Sequence, residues 1–181
     1  VGGRPVFRQV PVLPVVVPSA VVVLAVLLRH LRRRALLTAP RAAVALALCV
    51  YAAGVVANTV FPVYLDPVAR STRWSVQPVP FADYEWADAA MNVAVFVPLG
   101  ILLALALGTP PWWRVLVAVA ASSLAIELTQ LVTGAFLGGG HVADVDDLLS
   151  NVAGGMLGLA LLVGLAGVPA GARLVERSRW S

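Results

Sequence analysis

Val115-Leu-Val-Ala-Val-Ala-Ala-Ser-Ser123-Leu-Ala-Ile-Glu127-Leu-Thr-Gln130-Leu-Val132 is an apolar run interrupted by one carboxyl, one amide and three hydroxyl side chains. A bilayer core of about 30 Å takes about 20 mostly apolar residues as a helix, and this run has that length. Reading it as a membrane span decides the fold, because four comparable runs flank it. They lie at about 10–28, 42–61, 89–107 and 148–168. The expected structure is an all-α integral membrane bundle of about five transmembrane helices, one membrane domain over 1–181 with an extra N-terminal helix at about 10–28.

Composition agrees with a membrane chain. Of 181 residues, 60% are apolar and 12% are charged, against about a quarter charged in a soluble domain. All 13 basic residues are arginine and the net charge is +4. The arginines sit beside apolar spans and not on a polar helix or an aromatic-rich patch, so a nucleic-acid partner is excluded in favour of a topological role. The single cysteine, Cys49, lies in an apolar run and forms no internal disulfide; it reads as a small core residue.

The first span reads as a retained anchor, not a cleaved signal. Its apolar part is long, no small-residue cleavage site follows, and Arg29-His-Leu-Arg32-Arg33-Arg34 closes it. With the amino terminus outside, the cytoplasmic segments hold Arg29, Arg32, Arg33, Arg34, Arg41, Arg114, Arg173, Arg177 and Arg179, and the outer segments hold Arg4, Arg8, Arg70 and Arg73. Nine against four is the bias of the positive-inside rule, so the carboxyl terminus is expected in the cytoplasm. Seven of the nine acidic residues then fall outside: Asp66, Asp83, Glu85, Asp88, Asp144, Asp146 and Asp147. Residues 62–88 form a polar connection with Trp74, Tyr84 and Trp86, aromatic types that favour the membrane–water boundary. Pro98 is expected to bend the third span, and residues after the fifth span read as a short arginine-bearing tail.

A polar constellation runs through these spans. Ser123, Glu127, Gln130 and Gly134 recur at i, i+4, i+7 and i+11, and therefore share one helical face. Asp144, Asp147 and Asn151 share a face at i, i+3 and i+7, and Asn92 opens the third span at the same depth. Polar groups inside a membrane are costly and face a bundle interior, so three helices are expected to converge on one pocket below the outer surface. Gly154 and Gly158 form a small-xxx-small pattern that permits close helix contact. Contact there brings Asn151 toward Glu127 or Asn92.

Structural roles compete with chemical ones. Asp144 is a candidate N-cap and Asp147 a residue favoured by the helix dipole. Asn92 and Asn151 are candidate interhelical hydrogen-bond glue. Asp146 points to another face and is expected in solvent, and His141 reads as a loop histidine. Glu127 has the weakest structural explanation, since its own span carries no cation, and a buried carboxyl suits proton transfer. Acidic residues with an asparagine would suit a hard divalent cation, yet the spacing matches no dedicated loop and no metal ligand is assigned. No zinc pattern, P-loop, dinucleotide fingerprint or other organic-cofactor motif is present.

From Tyr51 onward the chain resembles the VanZ-like membrane family, named for an accessory protein in resistance to the glycopeptide teicoplanin. Gln77-Pro-Val-Pro80-Phe81 is similar to the family's Pro-Phe segment, and Asn92-Val-Ala-Val-Phe96-Val-Pro98-Leu-Gly100 to its asparagine–Phe-x-Pro-Leu-Gly motif. Glu127-Leu-Thr-Gln130 follows, and Asp144-Val-Asp146-Asp147-Leu-Leu-Ser-Asn151-Val-Ala-Gly154 resembles its Arg-x-x-Asp-x-x-Asp-x-x-x-Asn block. Together these cover about residues 50–165. His141 stands where that block opens with arginine, and Gln77 where asparagine is common. A histidine grips an anion only when protonated.

The resemblance implies a multi-pass membrane protein of the cell envelope, with a site directed at a lipid-linked anionic head group or a lipid-carried glycan precursor and a link to glycopeptide resistance. On that reading Glu127, Asp144 and Asp147 carry catalysis, and Asn92, Gln130, His141 and Asn151 bind substrate. The rival is a non-catalytic protein that binds or shields an envelope precursor. A proton-coupled carrier is disfavoured by the absence of an inverted repeat.

Overall fold

A computed structural model describes residues 10–61, 76–77, 86–137 and 143–181. The elements in chain order are α1 (Val12–Arg33), α2 (Ala39–Val60), β1 (Val76–Gln77), α3 (Trp86–Ala106), α4 (Trp112–Leu137), β2 (Ala143–Asp144), α5 (Val145–Ala166) and α6 (Pro169–Ser178). Five of the helices, α1 to α5, are long and apolar enough to cross a membrane. Each coincides with one apolar run of the sequence, and the chain is a multi-pass membrane protein.

Buried polar backbone in lipid forces helices, and the helix ends follow local signals. Pro40 sits in the first turn of α2, where its missing N–H costs nothing. The α1 end closes as a Schellman turn, in which Ala35 N–H donates to Arg32 O at 3.1 Å and Leu36 N–H to Leu31 O at 2.8 Å. Ala35 takes the left-handed conformation there, at φ 56°. Both internal prolines, Pro18 and Pro98, lie within continuous helices.

The packing centre is α5. It runs alongside α3 and packs on it most extensively, with α4 on its other side. Small residues make this possible: a Cβ at Gly154 or Gly158 would collide with the α3 carbonyls of Val93 or Val97, and one at Gly100 with the Gly155 backbone. Lipid tails supply no hydrophobic drive between helices, so such close backbone approach carries the association. Phe96, Leu99, Val115, Val119, Leu159 and Leu162 pack around it. In contrast, α1 lies against α2, and of its residues only Val16 and Leu31 are buried.

The C-terminal stretch is ordered, not a bare tail. α6 turns back against α5 through Gly171 and Val175. Trp180 N–H then donates to Leu105 O at 2.9 Å, and Arg41 reaches across to Arg179 O at 2.7 Å and Ser181 O at 3.0 Å. At the other end of the bundle, Val76 pairs with Ala143 and Gln77 with Asp144 in a short parallel bridge. That bridge joins the connection after α2 to the connection before α5.

Candidate functional site

The helices alternate in direction, so the C-terminal ends of α2 and α4 meet the N-terminal ends of α3 and α5. A half-open cavity of about 590 Å³ lies among these four ends. That volume is within the usual range of ligand sites, about 300–1,000 Å³, and suits a small head group.

Each wall follows from helical spacing. From α4, Glu127 and Gln130 face inward; from α5, Asp147 and Asn151; from α3, Asn92. Tyr51 and Asn58 add polar groups from α2. The lip is apolar: Val50, Met91 and Val95 line the cavity while 63%, 64% and 41% exposed. They belong to α2 and α3, where exposed Asn58 also lines the cavity, and exposed apolar residues of a membrane protein meet lipid.

Hydrogen bonds cross between helices at three places. Asn92 Nδ2 donates to Asp147 Oδ1 at 2.6 Å, linking α3 to α5. Asn151 Nδ2 donates to Ser123 Oγ at 2.9 Å, linking α5 to α4. The backbone N–H of Asp144 donates to Glu127 Oε2 at 3.2 Å, tying the start of α5 to the middle of α4. Glu127, Asn151 and Ser123 are buried, at 7%, 4% and 0% exposure.

Polar capacity is left over. Tyr51 Oη, Gln130 Oε1 and Asn151 Oδ1 are buried without a hydrogen-bond partner. Buried polar atoms are nearly always satisfied, so such atoms around one cavity give it hydrogen-bonding capacity for a ligand. Among the described residues no basic side chain lines the cavity. All nine described arginines lie at the opposite end of the bundle: at the end of α1 and just after it, at the starts of α2 and α4, and along α6 and just after it. No cluster of three or more metal-ligating side chains occurs among the described residues.

Of the seven site residues read from the sequence, five line this cavity: Asn92, Glu127, Gln130, Asp147 and Asn151. Asp144 does not. Its carboxylate is the N-cap of α5, with Oδ1 accepting from Asp146 N–H at 2.8 Å, and it touches Glu127 through its backbone only. His141 lies outside the described residues. Asp146 corrects an expectation: it is 9% exposed, buried in the first turn of α5 and not in solvent. Helix periodicity sets which face a residue takes and not what packs over that face. Tyr51 and Asn58 were missed as site residues. Their signal is i, i+7 spacing in the largely apolar second half of α2, with Gly54 between them.

A model of the VanZ/LLP1 family matches residues 42–166. Searches of curated proteins and of solved structures returned no significant match. The family match begins in α2 and ends with α5, and so spans all four helices that wall the cavity. More than half of the chain lies within that match, and the chain belongs to the VanZ/LLP1 family.

Proposed function

We propose that this protein acts at the outer leaflet on a lipid-linked substrate of the cell envelope, either a phosphate-bearing lipid head group or a lipid-carried glycan precursor. The observation that carries this reading is the cavity itself, polar at its floor and lined at its lip by exposed apolar residues of α2 and α3. An amphipathic ligand fits such a site with its head among Asn92, Glu127 and Asn151 and its tail left in the bilayer. The arginine distribution supports an outward-facing cavity, since the rule places arginine-rich ends in the cytoplasm. A link to glycopeptide resistance belongs to the same proposal and rests on family membership alone.

In this reading Glu127 is the general acid or base. It is buried, reaches the cavity, and keeps one carboxylate oxygen on the Asp144 amide so that its orientation is set. Asp147, held by Asn92, orients the reacting group, while Gln130 and Asn151 position the head group. Asp144 is a positioning residue that acts through Glu127.

One observation favours a non-catalytic binding protein instead: Asn92, Asp147, Ser123 and Asn151 already bond one another, as bracing residues do. Glu127→Gln separates the two. It keeps the acceptor for the Asp144 amide and removes the ionisable proton. Lipid and precursor extracts from cells with equal membrane levels of wild type and variant are compared by mass spectrometry. An enzyme loses its product on this substitution; a binding protein leaves the lipid profile unchanged.

A further inference from the structure

We propose that the cavity among α2, α3, α4 and α5 receives a primary ammonium group carried by the lipid's head group. This rests on the outer-leaflet lipid reading above and adds the chemical class of the part that is recognised.

Among the described residues the walls carry acceptors and no cation. Gln130 Oε1 and Asn151 Oδ1 can only accept, and both are buried and unpartnered. Tyr51 Oη is buried and unpartnered beside them. Two carboxylates join them. Glu127, with one oxygen on the Asp144 amide, and Asp147, with one oxygen on Asn92, both line the cavity.

Three ligand chemistries can be weighed against this set. A phosphate brings negative charge and further acceptors, and would face carboxylates and amide oxygens with no described cation between them. A polyol brings donors without charge, and leaves the two carboxylates uncompensated in a low-dielectric span. A primary ammonium brings three N–H donors on a compact positive charge, and matches both the orphan acceptors and the carboxylates. A quaternary ammonium carries the charge but no donor, and leaves the Gln130 and Asn151 oxygens unsatisfied.

The test uses the full chain, purified in detergent and mixed with equimolar phosphatidylethanolamine, phosphatidylglycerol and phosphatidylcholine of identical acyl chains. Retained lipid is read by native mass spectrometry. Phosphatidylethanolamine is expected in excess by about tenfold over each of the others, the discrimination given by one unmatched buried hydrogen bond. Asn151→Leu is expected to remove the excess. Because Asn151 also bonds Ser123, Gln130→Leu, which removes the unpartnered Oε1, serves as the second variant and is expected to reduce the excess. Equal retention of the three lipids, or preference for phosphatidylglycerol or phosphatidylcholine, overturns the ammonium assignment. If the Glu127→Gln lipid change persists in that case, the lipid-site reading survives without it. Absence of any retained lipid, together with an unchanged Glu127→Gln profile, overturns both.

Discussion

The backbone N–H of Asp144 donates to Oε2 of Glu127 at 3.2 Å, so the residue that starts α5 holds a carboxylate buried in the middle of α4. The same residue caps its own helix and pairs with Gln77 in the short bridge. Glu127 is thereby coupled to both connections at this end of the bundle. No side-chain chemistry of Asp144 is needed for this, because the bond uses the main chain.

Asp144 therefore separates capping from chemistry. Asp144→Asn keeps an oxygen for the Asp146 amide, and is expected to leave both thermal stability in detergent and the cellular lipid profile near wild type. Asp144→Ala loses the cap at a cost of about 1 kcal/mol. Loss of the wild-type lipid profile in a stable Asp144→Asn protein would give the carboxylate a direct role in the reaction.

The Asn92–Asp147 bond at 2.6 Å predicts measurable coupling between α3 and α5. Asn92→Ala strips the partner from a carboxylate within a span, at a cost of about 1–3 kcal/mol. Asp147→Ala alone costs less, and the double variant is expected to recover part of the Asn92→Ala loss. A double-mutant cycle on unfolding in detergent should return an interaction energy of about 1–2 kcal/mol. Strict additivity would show that the two side chains act independently.

Backbone contact between α3 and α5 makes a sharper prediction. A Cβ at Gly154 meets the Val93 carbonyl, whereas one at Gly164 meets nothing within 4 Å. Gly154→Ala is expected to cost about 3 kcal/mol, the upper end for overpacking, because main chain and not a flexible side chain must move. Gly164→Ala in the same helix should be neutral or slightly stabilising. Comparable unfolding midpoints for the two variants would contradict the close approach.

These contrasts show which features were legible before any coordinates. Spans followed from apolar run length, since a bilayer admits few alternatives. Convergence of Asn92, Glu127, Gln130, Asp147 and Asn151 on one cavity followed from i, i+3, i+4 and i+7 spacing plus the cost of facing lipid. Gly154 and Gly158 were legible as a contact face for the same reason. The cover over Asp146 was not, because a helix wheel places a residue on a face without saying what chain folds over it. Tyr51 and Asn58 were passed over because the half of α2 that reaches the cavity carries no charge to draw attention. The α6 helix was hidden by its brevity: ten residues with alternating arginines resemble a solvated tail until Gly171 and Val175 find α5.

The orientation proposed from the arginines can be measured directly. Asp88 is exposed at the cavity end, and Arg34 and Glu176 are exposed at the opposite end. In a Cys49→Ala background, Asp88→Cys is expected to react with a membrane-impermeant maleimide in intact cells. Arg34→Cys and Glu176→Cys should react only after permeabilisation. The reverse pattern would turn the cavity toward the cytoplasm and remove the outer-leaflet proposal with it.

Arg41 makes the last prediction, at the arginine-rich end. Its guanidinium donates to Leu36 O at 3.2 Å, Arg179 O at 2.7 Å and Ser181 O at 3.0 Å, and these bonds hold the segment after α6 beside the α3 end. Water competes for part of this network, so Arg41→Gln is expected to cost only about 1–2 kcal/mol. The effect should be local. The Trp180 amide, bonded to Leu105 O at 2.9 Å, should exchange with solvent deuterium faster in the variant, while amides of α5 beside Gly154 stay protected. Unchanged exchange at Trp180 would mean that α6 is held by Gly171 and Val175 against α5 alone, with Arg41 contributing nothing.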